Sequence, residues 1–190
     1  MQAMMQTASE DRPSLEDLFE EHGSRAFRAA YRVTGNTTDA EDVVQTVFVR
    51  LLKRPDAIQR RDTAGSYLHR AAVNAGLDLL RKRKRSRSVA IDDEADRDPA
   101  LHSEREDSES RLRSREIRDN LRSAMSRLKP AEAEVFALRY LEGLGNSEIA
   151  ELLDTSRETI GVRLFRCRAR LKTELADLVD VGSGSLGGAS

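Results

Sequence analysis

NSEIAELLDTSRETIGVRLFRCRARLK, residues 146–172, reads as two short helices joined by a tight turn. Ile149, Ala150, Leu152 and Leu153 give the first helix an apolar side, and Asp154-Thr155-Ser156 supplies the break. Asp tolerates left-handed backbone better than most residues. Ser156 is placed to cap the second helix by accepting the backbone N–H of Glu158 or Thr159. Beyond it Ile160, Leu164, Cys167 and Leu171 recur at helical spacing. Arg163, Arg166 and Arg170 recur on another side. A helix that packs on one face and presents guanidinium groups on the other suits the major groove of DNA. The stretch therefore marks an α-helical DNA binder with a helix-turn-helix.

Working back toward the N-terminus, Val135, Phe136, Leu138 and Leu141 make the preceding helix, opened by Pro130 and closed by Gly143. Ile117, Leu121, Ala124, Met125 and Leu128 make the one before it, so a second domain spans 111–179. Residues 88–110, SVAIDDEADRDPALHSEREDSES, are acidic and poor in large apolar groups, which reads as a linker unable to fold alone. Fully extended, at about 3.3–3.6 Å per residue, it would reach about 75–80 Å.

Upstream lies a basic run, RKRKRSR, at 81–87. It ends a helix placed at Gly65–Arg85, with Leu68, Ala71, Ala72, Ala75 and Leu79 as its core face. Tyr67, Arg70, Asn74 and Asp78, three and four residues apart, share another face. Residues 56–64 read as a loop. Thr38, with Glu41 three residues on, has the form of a capping box. It opens a helix whose Ala40, Val43, Val44, Val47, Phe48, Leu51 and Leu52 follow the i, i+3, i+4 rule up to Pro55. The first helix begins at Pro13-Ser14, carries the stripe Leu15, Leu18, Phe19, Phe27, Ala30 and Tyr31, and ends at Gly35-Asn36.

The expectation is an all-α protein: two small helical domains joined by a flexible acidic linker, the second containing the helix-turn-helix. The domains are 14–87 and 111–179, with the linker at 88–110, a disordered start at 1–13 and a flexible Gly/Ser tail at 180–190. Composition agrees, with 34% charged residues, 4% aromatic and no Trp, which favours modest helical cores over a large sheet. The net charge of -1 hides two basic surfaces and one acidic segment.

A single cysteine, Cys167, excludes an internal disulfide and fits a reducing compartment; on the core stripe it reads as a small buried hydrophobe. His22, His69 and His102 lack ligand spacing, so no metal site is expected. No nucleophile–base pair or phosphate-binding glycine loop stands out, so no catalytic residue, enzyme activity or cofactor is expected. The opening MQAMMQTASEDRPS has no apolar run of a secretory leader. No stretch approaches the roughly 20 apolar residues of a membrane span. The expected location is cytoplasmic, without direct membrane insertion.

Two stretches together resemble the bacterial extracytoplasmic-function (ECF) sigma factors. GNTTDAEDVVQTVFVRLLK (35–53), followed by SYLHRAAVNAGLDLLRKRKR (66–85), is similar to sigma domain 2. Residues 121–175, from LRSAMSRLKPAEAEVF to CRARLKTEL, are similar to sigma domain 4. A helix-turn-helix alone is a weak signal. Its pairing with Asp39-Ala40-Glu41-Asp42 and Gln45, then Asn74, Asp78 and Arg81, in this order and spacing, is strong.

The resemblance implies that Asp39, Glu41, Asp42 and Gln45 bind core RNA polymerase at the β′ clamp helices. It implies that Tyr67, Arg70, Asn74, Arg81, Arg83 and Arg85 hold the promoter −10 element. It implies that Ser156, Arg157, Glu158, Thr159, Arg163 and Arg166 face the −35 element. The β flap and an anti-sigma factor are further partners the family has. This sequence departs from the usual pattern with Tyr67 where Trp is common, Ala133 for Arg, Gly145 for Ser, Asp154 for the turn glycine, and Gly161-Val162 for a more polar pair.

Blander readings stand beside these. Taken alone, the acidic face at 39–45 is a solvated helix surface, and Asp39 and Glu41 favour the helix dipole locally. Asn74 as a surface amide and Tyr67 as a core residue are as plausible as DNA contact. Asp78 reads as structural, pairing with Lys82 at i+4. The alternative function is a stand-alone helix-turn-helix regulator binding operator DNA, which leaves the 39–45 pattern unexplained. A third reading is an adaptor whose basic patches bind acidic proteins.

Overall fold

The computed structural model describes residues 13–58, 61–87 and 108–183. Residues 1–12, 88–107 and 184–190, where a disordered start, most of the linker and most of the tail were expected, lie outside them. The chain divides into two compact units, residues 1–79 and 80–190. All regular structure among the described residues is helical.

In the first unit α1 spans Leu15–Thr34. Ser14 Oγ accepts from Asp17 N at 3.0 Å, and Asp17 Oδ2 accepts from Ser14 N at 3.1 Å, a reciprocal cap. Gly35 ends the helix at φ 71, its N–H donating to Tyr31 O at 2.7 Å. The buried face is Leu18, Gly23, Ala26, Ala29, Ala30 and Val33, so of the expected stripe Leu18 and Ala30 are buried and the aromatic members are not. Phe19 is 56% exposed, and Leu15, Phe27 and Tyr31 are half-buried. Alanines carry little hydrophobic signal in a sequence, yet they let helices approach closely, and the rings are displaced to the flanks. Phe19 there meets Phe48 edge-on, with centroids 5.2 Å apart.

Helix α2, Thr37–Lys53, packs on α1. Its cap is Asn36, whose Oδ1 accepts from Asp39 N at 2.9 Å, so the expected Thr38–Glu41 box gives way to an earlier start. Ala40, Val43, Val44, Val47, Phe48 and Leu51 are buried as expected, but Leu52 is 62% exposed, because it falls one position past the stripe. The span 56–64 is not an open loop throughout. Pro55–Ala57 forms a 3-10 turn, and α3 begins at Arg61 and runs to Arg87.

Ala64, Leu68, His69, Ala72, Val73, Ala75, Gly76 and Leu77 of α3 are buried. The expected Ala71 and Leu79 are only half-buried. Two glycines press α3 against α1: a Cβ on Gly65 would stand 3.2 Å from His22 Cε1, and one on Gly76 3.1 Å from Val33 Cγ1.

In the second unit α4 spans Ser108–Arg127, beginning inside the expected linker. Among its described side chains, those at its end are the ones buried. Ala124, Met125 and the following Leu128 are buried, whereas Ile117, expected in the core, is 61% exposed. Pro130 opens α5, Pro130–Phe136, which continues as a π-helical segment, Ala137–Leu141. Gly143 then turns the chain at φ 76. Helix α6, Asn146–Leu152, and helix α7, Arg157–Ser183, complete the unit. Residues 180–183, expected in the tail, are helical. Helix α7 packs against α4, α5 and α6 through Ile160, Leu164, Cys167 and Leu171, all buried.

Candidate nucleic-acid and partner interfaces

The helix-turn-helix is built by backbone geometry. Gly145 N donates to Glu148 Oε2 at 2.6 Å at the start of α6. Arg139 Nη1 donates to Leu144 O at 2.9 Å and ties down the loop before it. After α6 the chain closes through Thr155 N to Ala150 O at 2.9 Å and Asp154 N to Glu151 O at 3.2 Å. This is the Schellman pairing, with its left-handed residue supplied by Asp154 at φ 47. Ser156 Oγ then accepts from Thr159 N at 3.2 Å and caps α7.

The exposed face of α7 carries Ser156, Arg157, Glu158 and Arg166, with Thr159 and Arg163 half-buried beside it. All six predicted −35 residues thus lie on the first three turns of one helix or at its cap. Backbone amide donation at the helix start holds the Glu158 carboxyl below its usual range, helped by the Ser156 hydroxyl and then Arg157. It is therefore an acceptor only. Arg170 is drawn out of the arginine row. Its Nη1 lies 3.4 Å from Glu132 Oε2, an ion-pair contact without hydrogen-bond alignment. Arg127 Nη1 to Glu174 Oε2 at 2.9 Å pins the same helix further on.

Sequence reasoning named Val162 only as a departure from the family pattern and did not single out Phe165. Val162 is 48% and Phe165 68% exposed. The signal was present: neither falls on the Ile160–Leu164–Cys167–Leu171 stripe.

In the first unit the expected acidic face divides. Glu41, Asp42 and Gln45 are exposed on α2. Asp39 is only 2% exposed, buried in the first turn, so it does not share their surface. The exposed row continues instead through Val49 and Leu52, 47% and 62% exposed. An acidic start therefore runs into an apolar end.

On α3, Tyr67, Arg70, Asn74, Asp78, Arg81 and Arg85 recur every three or four residues and form one stripe, with exposed Asp78 at its middle. Tyr67 is 41% exposed, which sets aside its reading as a core residue. Arg70, Asn74 and Arg81 are half-buried and Arg85 exposed; Arg83, also exposed, lies off the stripe. Among the described residues, no group of His, Cys, Asp and Glu is arranged to hold a metal ion. No described helix is long and apolar enough to cross a membrane.

Comparison with known proteins finds matches over two regions of the chain. Residues 18–86 match Sigma-70 region 2, and residues 118–171 match Sigma-70 region 4. The chain is 34% identical to the ECF RNA polymerase sigma factor SigE of Mycolicibacterium smegmatis over 86% of its own length and 62% of that protein. It therefore spans less than two thirds of that relative. It is 30% identical to the RNA polymerase sigma-E factor of Streptomyces avermitilis, over 78% of each chain. A solved structure of CnrH in complex with the cytosolic domain of CnrY is similar at 24% identity over 91% of this chain and 94% of that one, with a TM-score of 0.49. The chain belongs to the extracytoplasmic-function group of the bacterial RNA polymerase sigma factors, the class of subunit that directs promoter-specific transcription initiation.

Proposed function

We propose that the two units act as separate promoter grips on one polymerase-bound chain. Glu41, Asp42 and Gln45, with Val49 and Leu52 below them, dock on the β′ clamp helices of core polymerase. The carboxylates accept from basic side chains of that coiled coil, and the apolar end buries against it. Asp39 contributes from inside, by setting the first turn of α2. The stripe Tyr67, Arg70, Asn74, Arg81 and Arg85, with Arg83, holds the −10 element. There a ring for stacking, an amide for a base edge and cations for phosphates suit single-stranded DNA. Ser156, Arg157, Glu158, Thr159, Arg163 and Arg166 enter the −35 major groove. The second unit also meets the β flap.

The observation that carries this reading is the order of surfaces along one chain: an exposed acidic row, a Tyr–Asn–Arg stripe and a capped helix-turn-helix. A stand-alone operator-binding regulator uses only the last. The polymerase performs the chemistry, so the chain acts without a catalytic group or cofactor, in the cytoplasm. An anti-sigma factor is among its proposed partners.

The test is run-off transcription with core polymerase. The protein should confer promoter-specific initiation and co-elute with core on gel filtration. Reversing Glu41 and Asp42 to Lys should abolish both while the helical spectrum is kept. Promoter-specific transcription that survives this reversal would remove the docking assignment. No specific transcription at all would remove the reading.

A further inference from the structure

The charged face of α7 has an apolar window. Among the described side chains of this helix, Val162 and Phe165 are the two large hydrophobics that stand exposed, at 48% and 68%. Three residues apart, they are surface neighbours. Beside Val162, Gly161 has nothing within 4 Å of where a Cβ would stand, so the helix surface is recessed there. Ile160, Leu164, Cys167 and Leu171 already anchor α7 from the other side, so neither Val162 nor Phe165 is required for packing.

Single exposed apolar residues are ordinary. An adjacent pair on an open recess, bordered by exposed Arg157, Arg166 and Arg168, is a patch with a specific charge environment. The guanidinium groups complement phosphates, so the occupant is duplex DNA rather than a second apolar protein surface. In the major groove a base pair offers one apolar group, the thymine C5-methyl; the other features of its edge are hydrogen-bond donors and acceptors. A valine pressed on a polar edge leaves that edge unpaired, which is costly. Pressed on a methyl it gains apolar contact.

Resting on the reading of α7 as the −35 helix, we infer that Val162, flanked by Phe165 and the Gly161 recess, reads a thymine C5-methyl group in the −35 element. Glu158, one turn before Val162 and ionised, takes only donors, so the neighbouring base it meets is a cytosine or an adenine.

The experiment uses the full chain with core polymerase and duplexes randomised across the −35 region. Each selected thymine is then replaced by deoxyuridine, which deletes only the methyl. One replacement should weaken binding about threefold to tenfold. In V162S the thymine-to-uracil ratio at that position should fall to about one, whereas R166A should weaken both duplexes alike. Selected thymines with no methyl dependence, or a dependence that persists in V162S, would overturn the inference and leave the −35 assignment standing. A holoenzyme that selects no sequence across the −35 region would overturn both.

Discussion

Helices α3 and α7 are both 27 residues long, and both carry DNA-facing candidates, yet they are held in different ways. Through its middle α3 is enclosed: Ala64, Leu68, His69, Ala72, Val73, Ala75, Gly76 and Leu77 are all buried. Its Arg70 and Asn74 are half-sunk between neighbours. Among its described side chains, helix α7 is buried along a single stripe, and its first turns are otherwise largely open. Side chains set among packed neighbours make fixed pockets, which suits single bases taken out of a stack. An open helix with long side chains suits a groove.

The largest effect that separates the two helices is truncation of an apolar side chain on each. Leu68→Ala should cost about 2–5 kcal/mol, since Leu68 is wholly buried and the cavity has little room to collapse. Phe165→Ala removes a larger side chain but should change stability by no more than about 0.5 kcal/mol, while weakening binding to −35 DNA. Denaturant unfolding followed by circular dichroism measures both. A Phe165→Ala loss approaching that of Leu68→Ala would mean that α7 is enclosed as well.

The anchoring stripe of α7 has a pH signature. Burial pushes the Cys167 thiol up to about 11, with the Glu132 carboxylate adding to the shift and Arg168 and Arg170 opposing it. In the unfolded chain a thiol ionises near its ordinary value, about 8.5. Between those values the unfolded chain has released a proton that the folded chain keeps. The contribution is therefore complete below about pH 8.5 and is lost as pH rises toward 11, by about 3 kcal/mol in all. Unfolding midpoints of the wild type and C167A, taken from pH 7.5 to 11, should converge across that window. Parallel curves would show that the thiol is hydrated.

The helix-turn-helix was legible because its signals are local. A left-handed Asp, a Ser cap and a stripe of period 3.6 each act within a turn or two of their own position. The first unit was less legible because its packing depends on small residues. Ala26 and Ala29 join the expected Ala30 at the centre of α1, and Gly76 sets an approach distance, yet Ala26, Ala29 and Gly76 do not signal burial by hydrophobicity. Asp39 misled for a related reason. A carboxylate in a first turn looks like surface chemistry, but Asn36 starts α2 earlier than Thr38 would and turns Asp39 inward. Val162 stood out only as a departure from the family pattern, and Phe165 was not singled out, because an apolar side chain off the core stripe carries no chemistry of its own to mark it.

A smaller effect tests whether α7 depends on its cap. Ser156→Ala removes the acceptor for Thr159 N and should cost about 1 kcal/mol. It should also loosen the first turn, where Arg157, Glu158 and Thr159 sit, so −35 affinity should fall along with stability. A loss of stability with unchanged affinity would show that the first turn is ordered by DNA itself.

The smallest effects are the most discriminating, because one substitution should act with opposite sign in the two helices. Glycine within a helix costs up to about 1 kcal/mol relative to alanine, so Gly→Ala is favourable wherever the methyl has room. At Gly161 nothing lies within 4 Å of the new Cβ, and Gly161→Ala should stabilise the second unit by about 0.5–1 kcal/mol. At Gly76 the new Cβ would stand 3.1 Å from Val33 Cγ1 and 3.2 Å from Val33 Cβ. Val33 is fully buried and branched at Cβ, so it has few rotamers in which to retreat. Overpacking of about 1–3 kcal/mol then outweighs the gain in propensity, and Gly76→Ala should lower stability by about 0.5–1 kcal/mol net. Thermal melts of the two single variants decide the matter. If both stabilise, α1 and α3 can slide apart and Gly76 does not set their approach. If both destabilise, the surface beside Gly161 is not open. With the expected opposite signs, Gly161 is a glycine that folding does not require, which leaves DNA contact as the reason for a recess beside Val162.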